Sequence, residues 1–185
     1  MKTISLLLVS AFISFATFAQ ETDERKVSVG GAEMSSYKNV VTNLENSKDH
    51  TKFVSSIKAA GLTNTLQGPG PFTVLAPTND AFAKIASRQS KSALNKVLMY
   101  HVIDGAWDSN SIKAGMNGKG GTISVKTLQG GYLKFTASGD NIIVTDESGA
   151  TATVTTKPIY QSNGITYVVD SILMPSDSKR TISMQ

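Results

Sequence analysis

The chain contains two histidines, His50 and His101, and no cysteine. Without cysteine there are no disulfides, no thiolate zinc sites and no thiol nucleophile. The histidines stand far apart, with no HxxxH or HExxH spacing, and no aspartate-rich loop follows the calcium pattern. The sequence therefore points to no metal and no cofactor. His101 has Asp104 three residues on, an arrangement that could orient an imidazole for base catalysis. No GxSxG elbow supplies a nucleophile to go with it. The other reading makes His101 a half-buried residue that closes a helix beside Tyr100, ahead of apolar Val102-Ile103, and hydrogen-bonds a backbone group there. That reading is the better one, and no catalytic residue is assigned. Four glycines surround Lys119 between Gly115 and Gly121, but without GxxxxGK[ST] they read as a turn and not as a phosphate cradle. Trp107 reads as a lid on the core.

Composition narrows the class further. Of 185 residues, 40% are apolar and 17% charged, which is ordinary for one globular domain. The formal charge is +4, but the lysines are scattered and no arginine-rich stripe alternates with aromatics. Nucleic acid is thus not an expected partner. The first residues differ from the rest. Lys2 precedes an apolar run at residues 4–18, and Thr17-Phe18-Ala19 offers small residues before polar Gln20-Glu21. This is the pattern of an export signal cleaved near Ala19. The run is too short for a bilayer span of roughly 20 residues, and no later segment is apolar enough. The expectation is a secreted protein, periplasmic or extracellular, with no transmembrane anchor.

The elements that must position any site follow from periodicity. Residues 20–35 are polar and Gly-containing and read as a flexible N-terminal segment. Helices are expected at 39–46 and 50–60, the second stopped by Gly61. Gly68-Pro69-Gly70-Pro71 breaks the chain, and 72–76 reads as a buried strand ended by Pro77. Thr78 or Asn79 caps the next helix, with Asp80 in its first turn and Phe82 facing inward. A further helix spans 90–100. Beyond Trp107, strands are expected at 122–128, 132–137, 141–145, 151–160 and 165–174, and 176–185 is a polar tail. Helices first and strands second argue an α+β fold.

Three segments in this order carry a resemblance. Gly70-Pro71-Phe72-Thr73-Val74-Leu75-Ala76-Pro77-Thr78-Asn79-Asp80-Ala81-Phe82 resembles the first signature box of the fasciclin (FAS1) domain family. Tyr100-His101 is similar to its central Tyr-His pair. Asn163-Gly164-Ile165-Thr166-Tyr167-Val168-Val169-Asp170-Ser171-Ile172-Leu173-Met174-Pro175 resembles its second box, although many members carry His where this chain has Tyr167. The resemblance covers about residues 36–175. It implies a wedge, a twisted β-sandwich with a helical layer on one side, in which Pro77, Thr78, Asn79, Asp80, Phe82, Gly164 and Asp170 are fold determinants. The strand of the second box is apolar on both faces, so Asp170 within it is expected to need a backbone N–H partner. The resemblance further implies a non-catalytic module of adhesion or matrix binding whose partner is an extracellular or envelope protein or polysaccharide. Tyr100 and His101 are its candidate interaction residues, and it acts as a monomer or weak homodimer. The alternative is a soluble carrier of a small apolar ligand, a lipid or pigment.

Overall fold

The computed structural model describes residues 24–86, 90–117, 120–139 and 141–176. The expected signal and most of the polar tail lie outside them. In chain order the elements are β1 (Lys26–Val29), β2 (Ala32–Ser35), α1 (Val40–Asn46), a 3-10 turn (Lys48–His50), α2 (Thr51–Ala59), α3 (Thr63–Gln67), β3 (Phe72–Pro77), α4 (Asn79–Ala86), α5 (Lys91–Tyr100) and β4 (Val102–Asp104). Then follow α6 (Ser109–Met116), β5 (Thr122–Lys126), β6 (Tyr132–Ser138), β7 (Asn141–Thr145), β8 (Thr151–Thr153), β9 (Ile159–Gln161) and β10 (Gly164–Val169).

The two apolar runs of the signature boxes become β3 and β10, which pair in parallel from Phe72↔Gly164 to Pro77↔Val169. Parallel strands need cover on both faces, and alternation supplies two apolar faces. Val74, Ala76 and Val168 meet Val40, Leu44, Phe53, Ile57, Phe82 and Leu98 of the helices. Leu75, Ile165, Tyr167 and Val169 meet Leu133, Phe135 and Val144 of the opposite sheet. β4 and β9 flank the pair, giving the order β4-β3-β10-β9, and β5-β6-β7-β8 form an antiparallel meander. Isolated bridges Ile103↔Thr127 and Val154↔Val169 tie the two sheets together. The result is the expected α+β sandwich, with α1 to α5 layered on one side and α6 packed instead against the meander.

Several local expectations are corrected. Residues 26–35 are not a flexible segment but the hairpin β1–β2. Buried Asn43 of α1 fastens it: Asn43 Oδ1 accepts from Ser35 N at 2.9 Å and Nδ2 donates to Ser35 O at 2.8 Å. The strand expected at 151–160 is two strands in different sheets, because the chain leaves the meander at Val154 and crosses through Pro158 to β9. β10 ends at Val169, earlier than expected. Helix α6 was hidden by Gly115. A Cβ there would lie 2.2 Å from Ile123 Cδ1, so the glycine lets the helix sit close on β5.

The start of the central pair is held by Asn163 and Gly164. Asn163 Oδ1 accepts from Val40 N at 3.0 Å, its Nδ2 donates to Leu66 O and Gly68 O at 2.9 Å each, and its carbonyl accepts from Phe72 N at 3.0 Å. A Cβ on Gly164 would lie 2.2 Å from Phe72 O, a backbone atom that cannot step aside. We predict that Gly164→Ala loses more than about 3 kcal/mol of unfolding free energy, and Asn163→Ala about 1–3 kcal/mol, in urea denaturation. A Gly164→Ala midpoint equal to that of the wild type would show that the close approach is not a constraint.

Candidate functional site

Tyr100 and His101 end helix α5, whose N-terminus is capped by Ser90 Oγ accepting from Ala93 N at 3.2 Å. Consecutive residues at a helix end diverge by about 100°, and here they enter opposite cores. Tyr100 belongs to the cluster between the sheets. His101 lies against the helical layer, edge-on to Phe53 with ring centroids 6.2 Å apart. Both have 0% exposure. His101 was expected to be half-buried and is fully buried; the pair were the candidate interaction residues, and neither side chain reaches the surface.

Their polar atoms are engaged internally. His101 Nδ1 lies 2.8 Å from Val97 O, which can only accept, and His101 Nε2 lies 3.1 Å from Leu173 N, which can only donate. The ring is therefore the neutral Nδ1–H tautomer. Burial pushes its pKa down from 6.5 to about 4, against the opposing pull of the Val97 carbonyl and the Asp146 carboxylate. Both ring nitrogens are occupied by backbone groups, and Asp104, exposed on β4, is partner to neither. The Tyr100 hydroxyl donates to Tyr132 O at 2.7 Å and accepts from Glu147 N at 3.2 Å. Burial raises its pKa well above the ordinary tyrosine value.

The residues of the boxes are likewise fasteners. Thr78 Oγ1 accepts from Ala81 N at 3.3 Å and so caps α4. Asn79, the other capping candidate, serves a different helix: its Oδ1 accepts from Lys52 N at 2.9 Å in the first turn of α2, and its Nδ2 donates to Lys48 O at 2.7 Å. Asp80 sits in the first turn of α4 and Phe82 is buried, edge-on to Phe53. Pro77 closes β3 opposite Val169. Asp170 is exposed and not within β10, yet it does find a backbone partner, accepting from Thr153 N at 2.8 Å. Tyr167 donates to Trp107 O at 2.9 Å, and burial pushes its phenol up to about 12.

Sequence reasoning missed Asp146. Its carboxylate is 5% exposed and accepts from Ser148 N and Ala150 N at 2.9 Å each, and from Met174 N at 3.0 Å. With His101 on Leu173 N and Glu147 Oε2 accepting from Ser176 N at 3.3 Å, it pins the segment after β10. Asp-Glu-Ser-Gly at 146–149 was a recognisable turn signal; its reach to Met174 was not. Among the described residues no three His, Asp or Glu side chains are grouped to hold a metal ion.

The sequence profile of the fasciclin domain matches residues 48–175. This chain belongs to the fasciclin domain family. Among its relatives, protein sll1483 of Synechocystis sp. is 31% identical over 163 residues, covering 84% of this chain and 83% of that one. Human periostin is 29% identical over 141 residues, which cover 73% of this chain but 16% of periostin, so this FAS1 chain spans a small part of that relative. A solved FAS1 domain pair from the insect cell adhesion molecule Fasciclin I superposes with a TM-score of 0.66 at 13% identity, over 82% of this chain and 58% of that one. That likeness establishes the FAS1 fold.

Burial lowers the pKa of both imidazoles, His50 and His101, so this FAS1 domain is expected to lose stability in acid, with His101 the larger contributor. Between pH 6.5 and about 4 the unfolded chain takes up a proton on His101 that the native state refuses, so stability is full above about pH 6.5 and falls as pH drops to about 4. We expect a loss of about 3 kcal/mol across that window, measured by denaturation at each pH, and a clearly shallower slope in His101→Gln. Equal slopes would assign the acid sensitivity to other groups. Tyr100→Phe should cost about 1–2 kcal/mol.

Proposed function

We propose that this FAS1 chain is an exported, non-catalytic binding module of the cell envelope or extracellular matrix, with a protein or polysaccharide partner. One observation carries the reading. The side chains with chemistry to offer, His101, Tyr100, Tyr167 and Asp146, are bound to the protein's own backbone, and the space open to a ligand lies instead in surface clefts. Kinship with a family that includes a cell adhesion molecule supports it. No helix among the described residues is long and apolar enough to cross a membrane, and the leader pattern at residues 1–19 supports export. In this reading Tyr100 and His101 act on binding through the fold, and the module works as a monomer or weak homodimer.

A carrier of a lipid or pigment finds less support. It would need room between helices and sheet, where Val40, Leu44, Phe53, Ile57, Val74, Ala76 and Phe82 are all at most 1% exposed.

The test is saturable binding of the fluorescently labelled protein to envelope and secreted-matrix fractions of the producing cell, with N-terminal sequencing of the exported form. Binding that saturates above that of an unrelated protein of equal charge, with cleavage near Ala19, is expected. Tyr100→Phe should retain binding in proportion to its folded fraction. Absence of saturable binding in both fractions would sink the module reading.

A further inference from the structure

A cleft of about 470 Å³ opens at the end of the sandwich where α6 begins, a size typical of small-molecule and oligomer-unit sites. Its floor is apolar and fixed: Ile142, Val154 and Tyr167 are 6%, 8% and 1% exposed. Half-buried Tyr160 also lines the cleft, and its ring carries the Arg25 guanidinium 4.9 Å from the centroid. The rim holds two exposed cations, Lys113 of α6 and Lys157 of the β8–β9 connection. Among the described residues neither ammonium group has an ion pair or hydrogen bond, and no carboxylate lines the cleft. Asp108, next to Ser109 in the chain, turns its carboxylate onto Ser111 N at 2.7 Å, capping α6. The lining also includes the hydroxyls and amides of Ser109, Asn110, Asn141 and Thr155, groups that both donate and accept.

The combination selects a ligand class. A small inorganic anion would need neither the volume nor the tyrosines. An acidic peptide docking as a strand would need a free sheet edge, and on this side the chain leaving β8 is already bridged to β10 through Val154↔Val169. A sugar bearing a carboxylate uses every feature: hydroxyls against the amides and hydroxyls, a ring face against Tyr160, the carboxylate against the ammonium groups. We propose that this cleft binds carboxylated sugar units of an acidic polysaccharide, with Lys113 and Lys157 holding the carboxylate and Tyr160 the ring. The proposal rests on the reading of the chain as a binding module and names the chemistry of its partner.

The test is calorimetric titration of the full exported chain with oligogalacturonate and oligomannuronate, against their methyl esters, which keep the sugar and lose the charge. Binding of at least one acid form is expected. It should weaken roughly tenfold in Lys113→Gln and in Lys157→Gln, and more in the double variant, with melting temperatures unchanged because both side chains are exposed. Equal affinity of the double variant, equal affinity of the esters, or equal affinity for a glutamate-rich peptide would each overturn it. If neither oligosaccharide binds while the envelope fraction still does, the cleft assignment falls and the module reading stands; if the envelope fraction fails too, both fall.

Discussion

Two strands separated by about ninety residues of chain lie side by side and parallel at the centre of this fold, covered on both faces. Each has a nearer neighbour on its other edge, β4 beside β3 and β9 beside β10, but their pairing with one another closes a long loop, which costs entropy before the contact repays it. Helices α1 to α5 on one face and the meander on the other are its two covers. Asn163 and Gly164 set where pairing starts: the glycine permits backbone contact with Phe72, and the asparagine joins the same point to α1 and to the end of α3.

The features legible in the sequence were those with a period or a local signal. The helices ending near Asn46, Ala59 and Tyr100, the strand after Pro71 and the hairpins through Gly130 and Gly139 all came from apolar spacing or turn residues. What escaped has a physical reason in each case. The β1–β2 hairpin is polar in composition because its anchorage is a buried asparagine and one deeply buried methionine, Met34, not an apolar stripe. Helix α6 carries a glycine that costs it propensity but admits β5. Asn79 stands where it could cap its own helix, and only three-dimensional proximity assigns it to α2.

The site was read less fully than the fold. Tyr100 and His101 were singled out by type and by resemblance, and the structure does give them a decisive position. They are adjacent residues that enter separate cores and use every polar atom on backbone groups. Their importance is of the kind that makes other surfaces possible. The cleft beside α6 could not be read in advance, since Lys113, Asn141 and the Lys157–Tyr160 pair come from three separate stretches of chain.

The segment from Leu173 to Ser176 is held by three side chains, His101, Asp146 and Glu147, each accepting one backbone N–H. Under load this is an unusual exit from a domain. A force drawn along the chain beyond Ser176 meets these single bonds one after another, and they peel. Only after they have gone does tension reach β10, whose bonds to β3 lie across the pull and are loaded together in shear. The domain thus carries a compliant lead ahead of a stiff clamp.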